Sequence, residues 1–224
     1  MKTDAIIVAA GSSTRFGAAD KLFADLGGRP LIAWSIRALL TASEVGGILI
    51  VSAGHNLEAL DAIGREHAGT RFLGVVLGGA KRSESVAAGL AMVTTTYAAI
   101  HDGARPLVQP GDIDRCILCA RECTGGAILA VPVTDTIKVA IDGVITGHPE
   151  RGNLWAAQTP QVVNRRQWLY AAGLGDNEET DDAAMLGRIG LDVAIVEGDP
   201  ANIKITRPAD LIVAESLARE RGWL

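Results

Sequence analysis

Ala5-Ile6-Ile7-Val8-Ala9-Ala10-Gly11-Ser12-Ser13-Thr14-Arg15-Phe16-Gly17 is the stretch on which the reading of this fold turns. Its first half is a short apolar run rich in Ile and Val, a strand signal bounded by glycine. It is too short for a signal-peptide core or a membrane span, so the expectation is a soluble, untargeted, cytoplasmic protein. Its second half is small, polar and cationic. In an open α/β sheet such a loop lies at the carboxyl edge of the first strand, where ligands bind. Small residues there let backbone N–H groups face an anion, and Arg15 and Lys21 add full positive charge. The loop is neither a Walker A motif nor GxGxxG, since no Gly-Lys-Ser/Thr follows and the glycine spacing differs. A surface turn with two solvated cations would satisfy the same spacing.

Outward from this loop, short apolar runs (Ala5–Ala9, Gly47–Ala53, Arg71–Leu77, Ala98–His101, Ala127–Val133) alternate with stretches of helical periodicity. The latter are Pro30–Thr41, Leu57–His67, Ser83–Val93 and Asp112–Cys123. Such alternation predicts an α/β fold: a single Rossmann-like, mostly parallel sheet with helices on both faces. We expect one domain over residues 1–224, interrupted at about 134–153 by a β-arm. Two β-prone stretches meet there at Asp142-Gly143, a strong hairpin dipeptide. A lone two-stranded hairpin is marginal in water, so a second subunit is its natural support. Beyond it come Leu154–Gln158, a helix near Arg165–Ala172, a polar loop, a helix from about Asp181, a strand at Asp192–Val196 and a last helix from Pro208.

A formal charge of −5 argues against a broad nucleic-acid surface, because phosphate-backbone binding needs a basic face. A small anion needs only a local cluster, and Arg15, Lys21, Lys81, Arg82 and Arg105 all sit in glycine-containing stretches. Cys116, Cys119 and Cys123 cannot form a disulfide framework. Their spacing on one predicted helix makes them core side chains rather than a metal site. No Gly-x-Ser-x-Gly elbow supports a hydrolase.

Four later stretches carry chemistry: Gly78-Gly79-Ala80-Lys81-Arg82-Ser83-Glu84-Ser85-Val86, His101-Asp102-Gly103-Ala104-Arg105-Pro106, Leu154-Trp155-Ala156-Ala157-Gln158-Thr159-Pro160-Gln161 and Asn202-Ile203-Lys204-Ile205-Thr206. The first reads as a strand-to-helix turn with Ser83 as N-cap, whose paired glycines let backbone approach a ligand. In the second, a carboxylate ends a strand and a guanidinium follows three residues later. Beside a bound polyanion, Asp102 would call for an intervening cation such as Mg²⁺, or would bind a hydroxyl. Arg105 suits a phosphate through its fork, and a plain Asp–Arg pair would look the same. His101 has no second ligand at metal spacing and reads as structural. By spacing alone Arg151 is a loop cation and Asp176–Asp182 a solvated loop.

The first loop with Lys21 resembles the signature of the nucleotidyltransferase superfamily and would fit a molybdenum-cofactor cytidylyltransferase equally well. With the four later stretches in order, the chain resembles the 2-C-methyl-D-erythritol 4-phosphate cytidylyltransferase family over essentially its whole length. The resemblance implies transfer of a cytidylyl group from CTP to 2-C-methyl-D-erythritol 4-phosphate, with Mg²⁺, in the non-mevalonate route to isoprenoids. It implies Arg15 and Lys21 as the catalytic cations on the transferred phosphate. Ala9, Ala10, Gly11, Lys21, Gly79, Ser85, Asp102 and Gly103 would then surround the nucleotide. Arg105, Thr136, Arg151, Thr159, Thr180 and Lys204 would contact the acceptor, and Asp102 would approach a Mg²⁺ held mainly by CTP. The arm would interlock a homodimer, with Thr136 and Arg151 serving the neighbour's site, and neither nucleic acid nor membrane would be a partner. The sequence departs from the family where Asp20-Lys21-Leu22 replaces the usual Pro-Lys-Gln and where Ala80 replaces an Asp of some members. A ribitol 5-phosphate cytidylyltransferase, or a non-catalytic nucleotide sensor of the same fold, would share the loop.

Overall fold

The computed structural model describes residues 1–11, 16, 20–175 and 179–224. Its strands are β1 (Thr3–Ala9), the short β2 (Asp25–Leu26) and β3 (Arg29–Pro30), β4 (Val45–Ser52), β5 (Phe72–Leu77), β6 (Tyr97–Asp102), β7 (Gly126–Pro132), β8 (Val139–Ile141), β9 (Val144–Gly147), β10 (Trp155–Asn164) and β11 (Ala194–Glu197). Its helices are α1 (Leu31–Thr41), α2 (Leu57–Ala68), α3 (Arg82–Met92), α4 (Pro110–Glu122), α5 (Arg165–Gly173), α6 (Asp182–Gly187) and α7 (Pro208–Glu220). Seven strands form one sheet in the order β11-β7-β10-β6-β1-β4-β5. All neighbours are parallel except β10, which runs antiparallel to both β6 and β7.

Alternation along β1 shows why helices cover both faces. Ala5, Ile7 and Ala9 pack in a cluster with α1, α2, α4 and α7. Ile6 points the other way, onto Val86 and Leu90 of α3, Trp168 of α5 and Met185 and Leu186 of α6. A period of two side chains in a strand buried on both sides gives the near-continuous apolar run seen in the sequence.

The expected elements are present, with local differences: β10 runs on to Asn164, and Asp182, expected at the end of a solvated loop, is fully buried at the start of α6. The helix after the paired glycines begins at Arg82 rather than with Ser83 as its cap. Glu84 makes the capping contact by folding back, its Oε2 accepting from the N–H groups of Ala80 at 2.8 Å and Lys81 at 3.3 Å. Asp112 lies in the first turn of α4, which Pro110 opens. The hairpin turns at Asp142 (φ 48°) and Gly143 (φ 80°), the two left-handed positions that a tight two-residue turn requires. Among the described residues strands β8 and β9 pair only with each other, as a separate sheet, and Ile137, Val139, Ile141, Val144 and Ile145 are exposed along the arm.

Candidate active site

Strands β1 and β6 end side by side, Val8 pairing with Asp102, and a cleft of about 490 Å³ opens above their carboxyl ends. Its wall is built from five stretches of the chain: Val8 to Gly11, Lys21 and Leu22, Gly79 to Arg82 with Ser85, Asp102 with Ala104, and Lys204. Of the five basic residues flagged in glycine-containing stretches, Lys21, Lys81 and Arg82 line this cleft, and Lys204 joins them.

Asp102 is the hub. Its Oδ2 meets Lys204 Nζ at 2.7 Å and Arg105 Nε at 3.8 Å, while Oδ1 faces Arg82 Nε at 4.0 Å. Burial pushes this carboxyl upward, but Lys204, then Arg82 and Arg105, outweigh it and hold Asp102 below the usual carboxylate range. An ionised carboxylate is stable there because cations surround it. Arg82 in turn reaches Asp182 at 2.7 Å. Burial disfavours the Arg82 charge, yet Asp182 first and Asp102 second raise its guanidinium above the ordinary arginine value.

Below Asp102 lies a buried polar relay. The Asp102 N–H donates to the Thr159 hydroxyl at 3.0 Å, and that hydroxyl meets His101 Nδ1 at 3.0 Å. The other ring nitrogen, Nε2, lies 3.2 Å from the Arg105 carbonyl, which can only accept. Nε2 therefore carries the proton, and Nδ1 accepts from Thr159. Burial pushes the His101 imidazolium down to about 4, leaving a neutral ring at neutral pH. The sequence reading of His101 as structural agrees with this placement, and the ring fixes the strand end that presents Asp102.

Lys21 opens a short 3-10 turn, Lys21–Phe23. Asp20 caps it, Oδ1 accepting from Leu22 N–H at 3.0 Å, while Asn56 donates to Oδ2 at 2.6 Å. Leu22 is 3% exposed and anchors the turn in the core. The two departures from the family's usual triplet are thus a cap and an apolar anchor on either side of the lysine. Lys204 is placed in a similar way: the next residue, Ile205, donates its N–H to the Ala104 carbonyl at 2.8 Å. Asn202, two residues earlier, is fully buried and donates to Gln158 Oε1 and the Thr159 carbonyl.

The expected site residues divide by position. Ala9, Ala10, Gly11, Lys21, Gly79, Ser85, Asp102 and Lys204 line the cleft. Gly103 is buried behind it, its N–H on the Val8 carbonyl. Thr159 is 4% exposed and engaged in the relay. The Arg105 fork is turned to backbone, Nη1 to the Asn202 carbonyl at 2.6 Å and Nη2 to that of Ala157 at 3.3 Å. Thr136, Arg151 and Thr180 lie outside the cleft lining, with Arg151 donating to the Thr134 carbonyl at the base of the arm. Arg15 lies outside the described residues. Arg82 and Asp182 were not among the expected site residues. Arg82 stood in a flagged motif, whereas nothing local marks Asp182 as its partner 100 positions later. Among the described residues, no group of three or more His, Cys, Asp and Glu side chains is placed to hold a metal. Among the described residues lining the cleft Asp102 is the one carboxylate, which suits Mg²⁺ held mostly by substrate phosphates.

Cys116 is buried, while Cys119 and Cys123 are half-buried with their sulfurs 3.9 Å apart. Among the described residues no helix is long and apolar enough to cross a membrane.

The sequence profile of the 2-C-methyl-D-erythritol 4-phosphate cytidylyltransferase family matches residues 3–220. The protein of that name from Synechococcus sp. (strain CC9902) is 46% identical over 224 residues, covering 96% of this chain and 97% of its own. The solved structure of 2-C-methyl-D-erythritol 4-phosphate cytidylyltransferase from Thermus thermophilus is 29% identical, with a TM-score of 0.77 over 98% of this chain and 100% of that one. The structure of 4-diphosphocytidyl-2C-methyl-D-erythritol synthase from Anaerococcus prevotii shares the fold, with a TM-score of 0.85 at 24% identity over 97% and 96% of the two chains. With the cleft, the sheet order and the full-length match pointing the same way, this chain belongs to the 2-C-methyl-D-erythritol 4-phosphate cytidylyltransferase family.

Proposed function

We propose that this chain transfers a cytidylyl group from CTP to 2-C-methyl-D-erythritol 4-phosphate, giving 4-diphosphocytidyl-2-C-methyl-D-erythritol and pyrophosphate. The observation that carries the reading is the cleft itself, in which Lys21, the Gly79–Ser85 turn, Asp102 and Lys204 converge above β1 and β6 in a chain matching the family from end to end. An oxygen of the acceptor phosphomonoester attacks the α-phosphorus, a new P–O bond forms, and the bond to the pyrophosphate oxygen breaks. No protein nucleophile is needed, because the acceptor phosphate is already anionic at neutral pH.

The chain therefore has two tasks: positioning two polyanions that repel each other, and stabilising charge on the five-coordinate phosphorus. Arg15 and Lys21 serve the second, and the capped turn keeps the lysine aimed. Gly79 and Ser85 face the nucleotide. A side chain on Gly79 would collide with Glu84, its Cβ falling 2.3 Å from the Glu84 Cβ, so the turn stays narrow enough for backbone to meet a base edge. Lys204 offers its ammonium to the acceptor. Arg105 acts through the backbone it clamps, and Thr159 through the Asp102 amide it accepts from. Mg²⁺, when bound, would neutralise the triphosphate, with Asp102 as its protein contact.

The arm supports a homodimer: its Ile and Val residues are exposed on a hairpin whose strands pair only with each other, and burying them on a second copy would bring Thr136 and Arg151 to the neighbour's cleft. A cytoplasmic location fits the substrates. The test is pyrophosphate release with CTP and Mg²⁺ in the presence of 2-C-methyl-D-erythritol 4-phosphate, ribitol 5-phosphate or no acceptor. The expected result is turnover with the first. Faster turnover with ribitol 5-phosphate moves the assignment to that acceptor, and none with either refutes catalysis.

A further inference from the structure

Asp182 sits where no contact with either substrate is expected, yet its surroundings join the cleft wall to β10 and to the segment that carries Thr180. It is fully buried on α6, behind the cleft wall. One carboxylate oxygen accepts from Arg82 Nη2 at 2.7 Å, and the other from Trp168 Nε1 at 3.1 Å. Its own N–H donates to Gln161 Oε1 at 2.8 Å, tying it to β10. Gln161 also donates to Asp181 Oδ2 at 3.2 Å, and Asp181 caps α6 directly after Thr180. The Arg82 guanidinium leaves this anchor, lines the cleft and faces Asp102.

We propose that Asp182 is a positioning residue of the transfer reaction, holding Arg82 in the cleft wall beside the nucleotide-facing turn while fixing the segment that carries Thr180. The inference rests on the cytidylyl-transfer reading. An arginine between two carboxylates takes a position set by both. With Asp182 neutralised, Arg82 loses its 2.7 Å partner and keeps only the weaker pull of Asp102, 4.0 Å away, and of Asp181, so the guanidinium leaves its set place in the cleft wall and competes with Lys204 for Asp102. A purely structural clamp would behave differently: its loss would lower stability and leave the kinetics of the folded enzyme unchanged.

The experiment compares full-length wild type, Asp182→Asn, Trp168→Phe, Arg82→Lys and the Arg82→Lys/Asp182→Asn double variant, each assayed well below its measured Tm. Asparagine keeps the volume and the acceptor for Trp168 but removes the charge facing Arg82. Phenylalanine keeps the ring packing but removes the donor to Asp182. For Asp182→Asn the expected KM for CTP rises about tenfold with kcat changed less than about threefold, the scale of one charge-assisted hydrogen bond. Trp168→Phe shifts the same KM about two- to threefold in the same direction, and the double variant is no worse than Arg82→Lys, because the two residues act as one unit. A wild-type KM for CTP in folded Asp182→Asn, or additive effects in the double variant, overturns the proposal. Should Asp182→Asn not fold, an unchanged KM in Trp168→Phe overturns it instead. Wild-type turnover is the control on the functional reading. If it is absent, calorimetric CTP binding by the same variants still reads the anchor, and equal affinities refute it.

Discussion

The buried His101 ring makes acid sensitivity a quantitative consequence of the geometry. The perturbation is a fall from about pH 7.5 to about pH 5, across a group that titrates near 6.5 in the unfolded chain and near 4 when buried. As pH falls the unfolded chain takes up the proton first, so the native state loses stability. This contribution is fully present above the unfolded value and is lost progressively on the way down to the folded one. The linkage relation gives a loss of about 2 kcal/mol at about pH 5 and about 3 kcal/mol once both forms are protonated. The structural origin is specific. The carbonyl of Arg105 holds the Nε2 proton, and a second proton on Nδ1 would displace the hydrogen bond from Thr159. The carboxylate of Asp102 works in the same direction, but below the ordinary carboxylate range. The assay is urea unfolding at both pH values and one fixed protein concentration, since association would otherwise contribute. His101→Asn supplies an amide oxygen for Thr159 without a titrating ring. Its pH-dependent loss should shrink to below about 0.5 kcal/mol, whatever its absolute stability. If wild type and variant lose equal stability between the two pH values, His101 is not the group responsible and the buried-neutral assignment is wrong.

Other expectations follow from the same geometry. Lys21→Ala should lower kcat about 10²-fold or more, the scale of one transition-state charge contact, and a change confined to KM for CTP would remove its catalytic role. Lys204→Ala, which removes the 2.7 Å partner of Asp102, should raise KM for the acceptor more than KM for CTP in steady-state assays. Gly126→Ala should destabilise the fold by about 2 kcal/mol or more in urea titrations, because φ is +112° and an added Cβ would fall 2.2 Å from the Val162 carbonyl oxygen. Co-expressed Lys21→Ala and Arg151→Ala chains should recover about a quarter of wild-type sites by the arithmetic of a two-fold dimer. If mass spectrometry shows mixed dimers and activity stays at the parental sum, Arg151 acts within its own chain.

Much of the cleft edge at the end of β1 was legible along the chain because its determinants are local. A strand run ending at Ala9 and a glycine-rich loop announce a ligand edge, and Asp142-Gly143 announces a hairpin. The paired glycines Gly78-Gly79 and the strand-to-helix turn were legible in the same way, whereas Gly79 and Ser85 as site residues came from the family resemblance. The family resemblance then tied these stretches together in order, and the sheet and cleft bring most of them to one place. Less legible was β10. Its first residues were noted as Leu154–Gln158, yet the strand continues to Asn164 and runs antiparallel in the interior of the sheet. No local pattern distinguishes that orientation, which depends on which edges are free when the strand docks.

Tertiary structure alone settled how side chains distant in sequence pair. Arg105, read from its spacing as a phosphate fork, spends that fork on the carbonyls of Asn202 and Ala157. Thr159 and His101 meet across 58 positions, and Arg82 and Asp182 across 100. Periodicity and motif spacing report which face a residue occupies and which turn it shares, because both follow from the backbone of a single element. They carry no record of the partner a buried polar group finds on another element. Such a group must be satisfied by whatever the packed fold brings within reach, so the sequence by itself determined the layered α/β scaffold and its ligand-facing loops, and packing decided which charges face substrate and which hold the scaffold in place.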